Sequence, residues 1–252
     1  MIEPLACPIC GGDCAPLDSL DFNKTCLELP DGPLPVAGVP VAYFLCDECG
    51  FCFAPEFAHW TLEAFATRIY NSEYVRVDPE YVQKRPLENA DYLQSLLGAR
   101  GSSIRHLDYG GGQGLLSERL RQNGWQSVSY DPFVDVDNDF EALGKFDLIT
   151  AFEVFEHVPD VWALAANLSA LLVDDGVVLF STLLSDGYIN RGQGLDWWYA
   201  APRNGHISLF SRGSLAVLAA SQGLNYCSFS DNFHAYCRDA IPSWASHWLR
   251  FE

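Results

Sequence analysis

The sequence IRHLDYGGGQG, residues 104–114, decides the fold of this chain. Its apolar beginning predicts a short buried strand, and a helix is predicted directly after it over Leu115–Gln122. Glycine is needed where a chain turns sharply beneath a ligand and where the backbone must approach that ligand closely. A glycine-rich turn at the carboxyl end of the first strand is where doubly wound α/β sheets bind their ligands.

Downstream of this loop, short apolar strands alternate with amphipathic helices. The elements expected there are strands over Ser127–Tyr130, Phe146–Ala151 and Gly176–Leu184, and helices over Val161–Leu172 and Ser214–Gln222. This alternation is typical of a parallel sheet covered by helices. The last two strands, Leu224–Phe229 and His234–Arg238, are separated by a short polar turn, which predicts an antiparallel hairpin.

The residues around the loop distinguish two classes of nucleotide cofactor. A dinucleotide-binding turn would place glycine or alanine at position 115, where this chain has Leu115. The loop instead has the form D-x-G-x-G-x-G and begins at Asp108. Asp131 follows Gly114 by 17 residues at the end of the next strand, where a carboxylate can accept both hydroxyls of a ribose. A glycine-rich turn without a ligand is the structural alternative.

Three segments of the chain resemble the class I S-adenosylmethionine-dependent methyltransferases. They are the loop at 108–114, FDLITAFEVFEHV at 146–158 and DDGVVL at 174–179. The reversed final hairpin agrees with the antiparallel seventh strand of that family. The resemblance implies an α/β fold with a doubly wound, Rossmann-like, seven-stranded sheet.

The resemblance also implies that S-adenosylmethionine is the methyl donor. It assigns contacts with the methionine part, the ribose, the adenine surroundings and the pocket after the fourth strand to Asp108, Gly110, Gly112, Asp131, Phe133, Phe152 and Glu153. Asp139 and Phe140 are weaker candidates beside the adenine. In relatives, a helical segment covers the cofactor, so Tyr70 and Arg85 are expected to touch its carboxylate. Packing on a surface helix is the alternative for both.

Two Cys-x-x-Cys pairs lie in the N-terminal region, which is rich in cysteine, proline and glycine. They are Cys7 with Cys10 and Cys46 with Cys49, and each pair is followed by glycine. Two such turns can present four thiolates to one tetrahedral point, the geometry of structural zinc. Buried free cysteines are the alternative. The other cysteines are competing ligands (Cys14, Cys26, Cys52) or core residues of the final hairpin (Cys227, Cys237).

A zinc module ahead of this catalytic domain resembles the arrangement in bacterial deoxysugar C-methyltransferases. Those proteins have a further C-terminal domain that this sequence does not show, so their specific chemistry is not expected here. Some ribosomal-RNA guanine methyltransferases also carry an N-terminal zinc module. The formal charge of −18 argues against that second parallel, because nucleic-acid binders gain affinity from basic residues.

The acceptor site is predicted around two histidines. Transfer to oxygen or carbon often needs a general base, and His206 and His157 are the candidates, each with a hydrogen-bonded structural role as the alternative. Tyr199 is the third candidate catalytic residue. It lies with Trp197 and Trp198 in an aromatic insertion that suits a sugar-like acceptor or, equally, a core beneath a loop.

Together these patterns predict three regions. Residues 1–55 form the zinc module, residues 56–100 a helical lid and residues 101–252 the cofactor-binding domain. The expected function is O- or C-methylation of a carbohydrate or related small molecule, in the cytoplasm, without membrane or nucleic-acid partners and with a homodimer left open. Three rivals remain: an adaptor with a vestigial nucleotide pocket, an RNA-modifying methyltransferase and a nicotinamide-dependent oxidoreductase.

Overall fold

The computed structural model describes residues 5–135 and 140–247. The chain divides into two compact units that are both discontinuous in sequence. Unit 1 comprises Met1–Pro79, Phe155–Leu164 and Leu183–Leu218, and unit 2 comprises Glu80–Val154, Ala165–Thr182 and Ala219–Glu252. The division at residues 55 and 100 stays a prediction.

The described residues form eleven strands and six α-helices. The strands are β1 (Leu5–Ala6), β2 (Asp13–Asp21), β3 (Pro40–Cys46), β4 (Cys52–Phe53), β5 (Arg105–Tyr109), β6 (Gln126–Tyr130), β7 (Phe146–Phe152), β8 (Leu172–Ser181), β9 (Ser208–Leu209), β10 (Asn225–Ser228) and β11 (Phe233–Cys237). The helices are α1 (Leu62–Arg68), α2 (Tyr74–Val77), α3 (Lys84–Leu97), α4 (Leu115–Gln122), α5 (Val161–Leu171) and α6 (Arg212–Ser221). The predicted bounds of α4 are confirmed, and those of α5 differ by one residue.

Unit 1 contains an antiparallel sheet in the order β1-β2-β3-β4-β9. Alternate residues of β3, among them Val41, Tyr43 and Leu45, point into its apolar core. The long strand β2 was not predicted, because Pro16 and several aspartates lower the strand propensity there. Proline lacks the N–H that a ladder needs, and the register shifts between Pro16 and Asp18.

Unit 2 contains a six-stranded sheet in the order β10-β11-β8-β7-β5-β6. The pairs among β6, β5, β7 and β8 are parallel, whereas β11 is antiparallel to β8 and to β10. The predicted fold class and the reversed last hairpin are thereby confirmed. The described residues supply six strands where seven were expected. Residues 131–145 connect β6 to β7. This connection is close to the minimum length of a crossover between parallel strands, which needs a dozen or more residues.

Local capping explains where the N-terminal helices begin and end. The predicted cap of α1 is confirmed, since the Thr61 hydroxyl accepts a hydrogen bond from the Ala64 N–H at 3.2 Å. Helix α3 has Pro86 in its first turn, where a missing N–H costs no hydrogen bond. It ends before Gly98, which has a φ of +50°. Among the described residues, every helix is too short or too polar to cross a bilayer.

Candidate functional site

The glycine loop, residues 108–114, turns with left-handed backbone at three of its glycines. Gly110 has a φ of +73°, and a Cβ there would lie 2.5 Å from Cγ2 of Val154. A Cβ on Gly111 would lie 2.3 Å from the Ser129 hydroxyl. By contrast, a Cβ on Gly112 would meet nothing within 4 Å. The loop is therefore packed tightly on its sheet side and leaves open space beside Gly112.

Asp131 is tied to this loop by its carboxylate. Its Oδ2 accepts a hydrogen bond from the Gly112 N–H at 2.9 Å, and its Oδ1 accepts one from the Phe133 N–H at 2.8 Å. The side chain is buried, so these two bonds fix its orientation. Phe133 is 39 % exposed, which leaves an apolar ring face available next to Asp131. Two predicted cofactor residues thus lie beside the open part of the glycine loop.

Asp108 is buried at the end of β5 and accepts a hydrogen bond from the Thr150 hydroxyl at 2.9 Å. Burial, with a smaller contribution from the nearby charge of Asp131, raises the pKa of the Asp108 carboxyl to about 7, although the Thr150 hydrogen bond acts in the opposite direction. The carboxyl therefore titrates near neutral pH and would favour a cationic group as neighbour.

A chain of buried hydrogen bonds leads to Asp108 from the interior of unit 2, and the sequence analysis did not find it. Because Thr150 donates its single hydrogen to Asp108, its oxygen accepts from Nε2 of His106 at 3.0 Å. Nδ1 of His106 lies 2.8 Å from the Ser127 hydroxyl oxygen, which in turn lies 2.9 Å from that of Ser117. Burial lowers the pKa of His106 to about 3, so its ring is neutral. Polar residues at adjacent positions of three paired strands were the available signal.

Ser129 is a second polar residue that the sequence analysis missed. Its hydroxyl oxygen is buried beside Gly111 and has no hydrogen-bond partner within the described part of the chain. Buried hydroxyls nearly always have a partner, so this atom indicates that the loop is shaped for a further polar group.

Glu153 follows β7 in a left-handed conformation, with a φ of +54°. It is the one residue other than glycine with positive φ in the described chain. The Ser181 hydroxyl holds it in place: this oxygen accepts from the Glu153 N–H at 2.9 Å and donates to Oε1 at 2.9 Å. Such strain costs on the order of 1–2 kcal/mol and concentrates at functional sites. The preceding Phe152 packs on Phe233 at a ring distance of 5.7 Å.

The predicted lid residues lie in different units. Tyr70 belongs to unit 1 and packs on His157, with 6.1 Å between ring centroids. Arg85 belongs to unit 2, in the first turn of α3. Their proposed contact with the cofactor stays a prediction. Asp139 lies outside the described residues.

The histidine cluster of unit 1 brings together Glu156, His157, Tyr199 and His206. Nδ1 of His206 donates to the Tyr199 carbonyl at 2.8 Å, and Nδ1 of His157 donates to the Gly205 carbonyl at 3.2 Å. A carbonyl only accepts, so each ring carries a hydrogen on Nδ1, and in the neutral form of each ring Nε2 is the unprotonated nitrogen. The rings lie 4.9 Å apart, and the two predicted bases are therefore neighbours.

Buried residues surround these two rings. The Tyr199 hydroxyl donates to Oε1 of the fully buried Glu156 at 2.6 Å. The Tyr199 ring lies 4.2 Å from that of His206 and, like Trp197, belongs to the apolar core of unit 1. Trp198, by contrast, is 49 % exposed. The aromatic insertion is thus core at two of its three rings, and Glu156 is a member of the cluster that the sequence analysis did not single out.

The cysteine cluster, formed by Cys7, Cys10, Cys46 and Cys49, is confirmed as a convergence of four sulfurs within 4.8 Å of one another. Sγ of Cys7 lies 3.6 Å from that of Cys49, and Sγ of Cys10 lies 3.4 Å from that of Cys46. Four sulfurs at about 2.3 Å from a tetrahedral zinc ion would be about 3.8 Å apart, so the donor set fits this metal.

Backbone hydrogen bonds to these sulfurs also favour their thiolate form. Backbone N–H groups of Ile9 and Gly12 donate to Sγ of Cys7 and Cys10, each at 3.4 Å. Such bonds favour the thiolate, which is the form that binds metal. Of the competing cysteines, Cys14 lies next to the cluster, because it pairs across the sheet with Cys46. Cys26 lies 3.5 Å from Nδ1 of His206, and Cys52 is fully buried on β4.

A family model described as a methyltransferase domain matches residues 81–228, more than half of the chain. The chain belongs to the class I S-adenosylmethionine-dependent methyltransferase family. The glycine loop and Asp131 lie inside the matched range.

Curated relatives of this family member include ubiquinone biosynthesis O-methyltransferases. The enzyme of Coxiella burnetii is 32 % identical over 36 % of this chain and 48 % of its own length. That of Rhodopseudomonas palustris is 30 % identical over 32 % of this chain and 41 % of its own length. The chain thus spans about half, or less, of the relatives it matches.

Similar solved structures are more distant in sequence. The pyocyanin biosynthetic protein PhzM is 14 % identical, with a TM-score of 0.49 over 71 % of this chain and 62 % of that one. The 1,6-didemethyltoxoflavin-N1-methyltransferase of Burkholderia thailandensis is 17 % identical, with a TM-score of 0.47 over 74 % of this chain and 93 % of that one.

Proposed function

We propose that this chain transfers a methyl group from S-adenosylmethionine to an oxygen atom of a small molecule, with a carbohydrate or related polar metabolite as acceptor. The observation that carries the proposal is Asp131, whose carboxylate is fixed against the open side of the glycine loop at Gly112. The likeness to O-methyltransferases supports oxygen as the methylated atom. The formal charge of −18 supports an acceptor other than nucleic acid.

When bound, S-adenosylmethionine supplies a methyl group on a positively charged sulfur. Asp131 would accept hydrogen bonds from the ribose hydroxyls, and Phe133 would cover the adenine.

The methionine part would be held by Asp108, Gly110 and Gly112, and its ammonium group suits a carboxyl that titrates near neutral pH. Phe152 and the strained Glu153 would line the pocket, and Tyr70 and Arg85 are proposed as further contacts with the cofactor carboxylate. The partnerless Ser129 hydroxyl and the strain at Glu153 both support a ligand at this loop.

The residues that handle the acceptor proton are proposed to be His206 and His157. In the neutral form of each ring Nε2 is the basic nitrogen, because the Nδ1 hydrogen is donated to a backbone carbonyl. The acceptor hydroxyl gives its proton to Nε2, and the buried Glu156 carboxylate would stabilise the cationic ring that results. Tyr199 donates to Glu156 at 2.6 Å, so we assign Tyr199 a positioning role that acts through this carboxylate.

We also propose that the cysteine cluster holds a structural zinc ion. A set of four cysteine sulfurs fills all positions of a tetrahedral ion, which is typical of structural zinc and not of catalytic zinc. The metal would link the turn at Cys7–Cys10 to the turn at Cys46–Cys49, on either side of the β2–β3 hairpin.

Calorimetry with S-adenosylhomocysteine tests the cofactor part of the proposal. We expect wild type to bind it and Asp131→Asn to bind it about tenfold or more weakly, because a charge-assisted hydrogen bond contributes about 1.5–3 kcal/mol. Asp91→Asn is the control, since Asp91 only pairs with Arg119 on the surface of unit 2. If wild type shows no binding, the adaptor with a vestigial pocket becomes the better description.

Turnover with a panel of hydroxylated small molecules tests the base. Once an acceptor is found, His206→Ala or His157→Ala should lower kcat by about 10²–10⁴-fold and remove the acidic limb of the pH profile. The affinity for S-adenosylhomocysteine should be unchanged in both variants. A histidine whose removal leaves kcat and the pH profile intact is not the base.

A further inference from the structure

A small pocket in unit 1 is lined by three arginines. Its volume is about 290 Å³, and its lining residues include Arg68, Arg76 and Arg203 together with Asn71 and Glu73. The chain has only 15 lysines and arginines against 33 acidic residues, so three in one lining is a marked local concentration. A volume at the lower end of ligand pockets fits one end of a small molecule.

Arg203 is the buried member of this set, with 6 % exposure. It donates from one terminal nitrogen to the Ile69 carbonyl at 2.8 Å and from the other to Oδ1 of Asn71 at 3.3 Å. Its guanidinium carbon lies 6.0 Å from the centre of the Tyr74 ring. These partners are all neutral.

Among the side chains that the structure describes, no carboxylate lies within the 4.0 Å ion-pair distance of Arg203. Burial lowers the pKa of this guanidinium, and the nearby charge of Glu73 opposes that effect only in part. A buried cation whose hydrogen-bond partners are all neutral is costly, and an anion of good geometry would offset that cost.

The other two arginines differ in their pairing. Arg76 forms an exposed ion pair with Asp31 at 3.3 Å. Arg68 stacks over Trp60, with its guanidinium carbon 5.0 Å from the ring centre, and within the described chain it has no carboxylate at ion-pair distance. The pocket thus contains two guanidinium groups without acidic partners and one carboxylate, Glu73, that opposes an incoming anion.

We propose that this pocket binds an oxyanion of the acceptor, a phosphate or a carboxylate group. The planar guanidinium fork matches both groups through paired hydrogen bonds. Arg203 lies on the turn Pro202–Asn204, three residues before His206, so one short segment carries the anion-binding group and a candidate base. The inference rests on the proposed function in that it narrows the acceptor to an anionic small molecule, such as a carbohydrate bearing phosphate.

Calorimetry with inorganic pyrophosphate, phosphate and citrate, at constant ionic strength, tests the pocket without any acceptor in hand. Wild type should bind at least one of them, and the comparison of phosphate with citrate shows which oxyanion is preferred. Arg203→Met should weaken binding about tenfold or more, and Arg68→Gln should weaken it less. Glu73→Gln should tighten it, because the opposing charge is removed.

Arg119→Ala is the matched control, since it removes one surface arginine from unit 2 and leaves the pocket unchanged. If Arg203→Met fails to fold, the opposite effects of Arg68→Gln and Glu73→Gln on the affinity still show whether the anion binds in this pocket. Wild type that binds none of the three anions overturns the inference, as do equal affinities in Arg68→Gln, Glu73→Gln and Arg119→Ala. Binding of S-adenosylhomocysteine, measured in parallel, reports on the proposed function separately.

Discussion

The glycine loop of unit 2 and the clusters of unit 1 are built in opposite ways. The loop and its partner Asp131 come from a single run of about 30 residues, in which each strand passes directly into its functional turn. The cysteine and histidine clusters of unit 1 each combine two stretches of chain that are well separated in sequence. The first arrangement depends on local backbone conformation, whereas the second depends on long-range pairing and, as we propose, on a metal cross-link.

Loss of a cysteine ligand should give the largest effect and should distinguish the two units. In Cys46→Ser we expect zinc to be lost and unit 1 to be destabilised by several kcal/mol or more, because metal binding at such sites is folding free energy. Metal analysis and thermal unfolding measure both effects.

Cys227→Ala is the control, since Cys227 lies on β10 of unit 2. It should keep one zinc per chain. Zinc absent from wild type purified without chelator, or retained in full by Cys46→Ser, would contradict the metal assignment.

The titration of Asp108 should give the next largest effect, and it belongs to unit 2. Burial raises the pKa of this carboxyl from 3.8 to about 7. Between these values the folded chain holds a proton that the unfolded chain has lost. Raising the pH through this window should therefore lower the free energy of unfolding, by up to about 4 kcal/mol.

Asp108→Asn should remove this dependence and be the more stable protein at pH 8, as measured by urea unfolding across pH 4–8. Asp147→Asn on β7, whose carboxylate accepts from the Arg105 N–H, should keep the wild-type slope. The affinity of wild type for S-adenosylhomocysteine should rise as the pH passes 7, because the ionised carboxylate attracts its ammonium group. An affinity for S-adenosylhomocysteine that does not change with pH would contradict the contact between Asp108 and the ammonium group.

A pair of glycine substitutions should give the smallest effect on stability and the sharpest test of the loop. Gly110→Ala places a methyl 2.5 Å from Val154 at a φ of +73°, whereas Gly124→Ala at +86° meets nothing within 4 Å. Backbone strain should lower the free energy of unfolding of both variants by about 1–2 kcal/mol, and the contact with Val154 should lower that of Gly110→Ala somewhat more. Only Gly110→Ala should weaken S-adenosylhomocysteine binding, by about tenfold. Equal affinities would mean that the loop does not hold the ligand.

The same contrast explains what the sequence could predict. The bounds of α4, the strand before the glycine loop and the cap at Thr61 follow from local patterns, and the structure has them within a residue or two. The four-cysteine convergence was also predictable, since each pair carries its own turn. Strand β2 was missed because its propensity is poor and its pairing with β3 creates it.

The members of polar clusters were harder to predict when their partners are distant. Glu156, Thr150 and Ser129 are ordinary polar residues in the sequence, and only the packing of other segments buries them. The sequence around Arg203, within the aromatic insertion, likewise gives no sign of its burial. Its neutral partners Ile69 and Asn71 lie more than a hundred residues away along the chain.

The pairing of β4 with β9 also sets the order in which a ribosome can complete unit 1. Cys52 of β4 pairs with Leu209 of β9, so the sheet edge next to the second cysteine pair waits for residues made much later. At about 5–20 residues per second, roughly 10–30 s separates the two strands during synthesis. Over that interval β4 is an open edge, and an early-formed metal site would be the means by which the nascent N-terminal region keeps its hairpin in register.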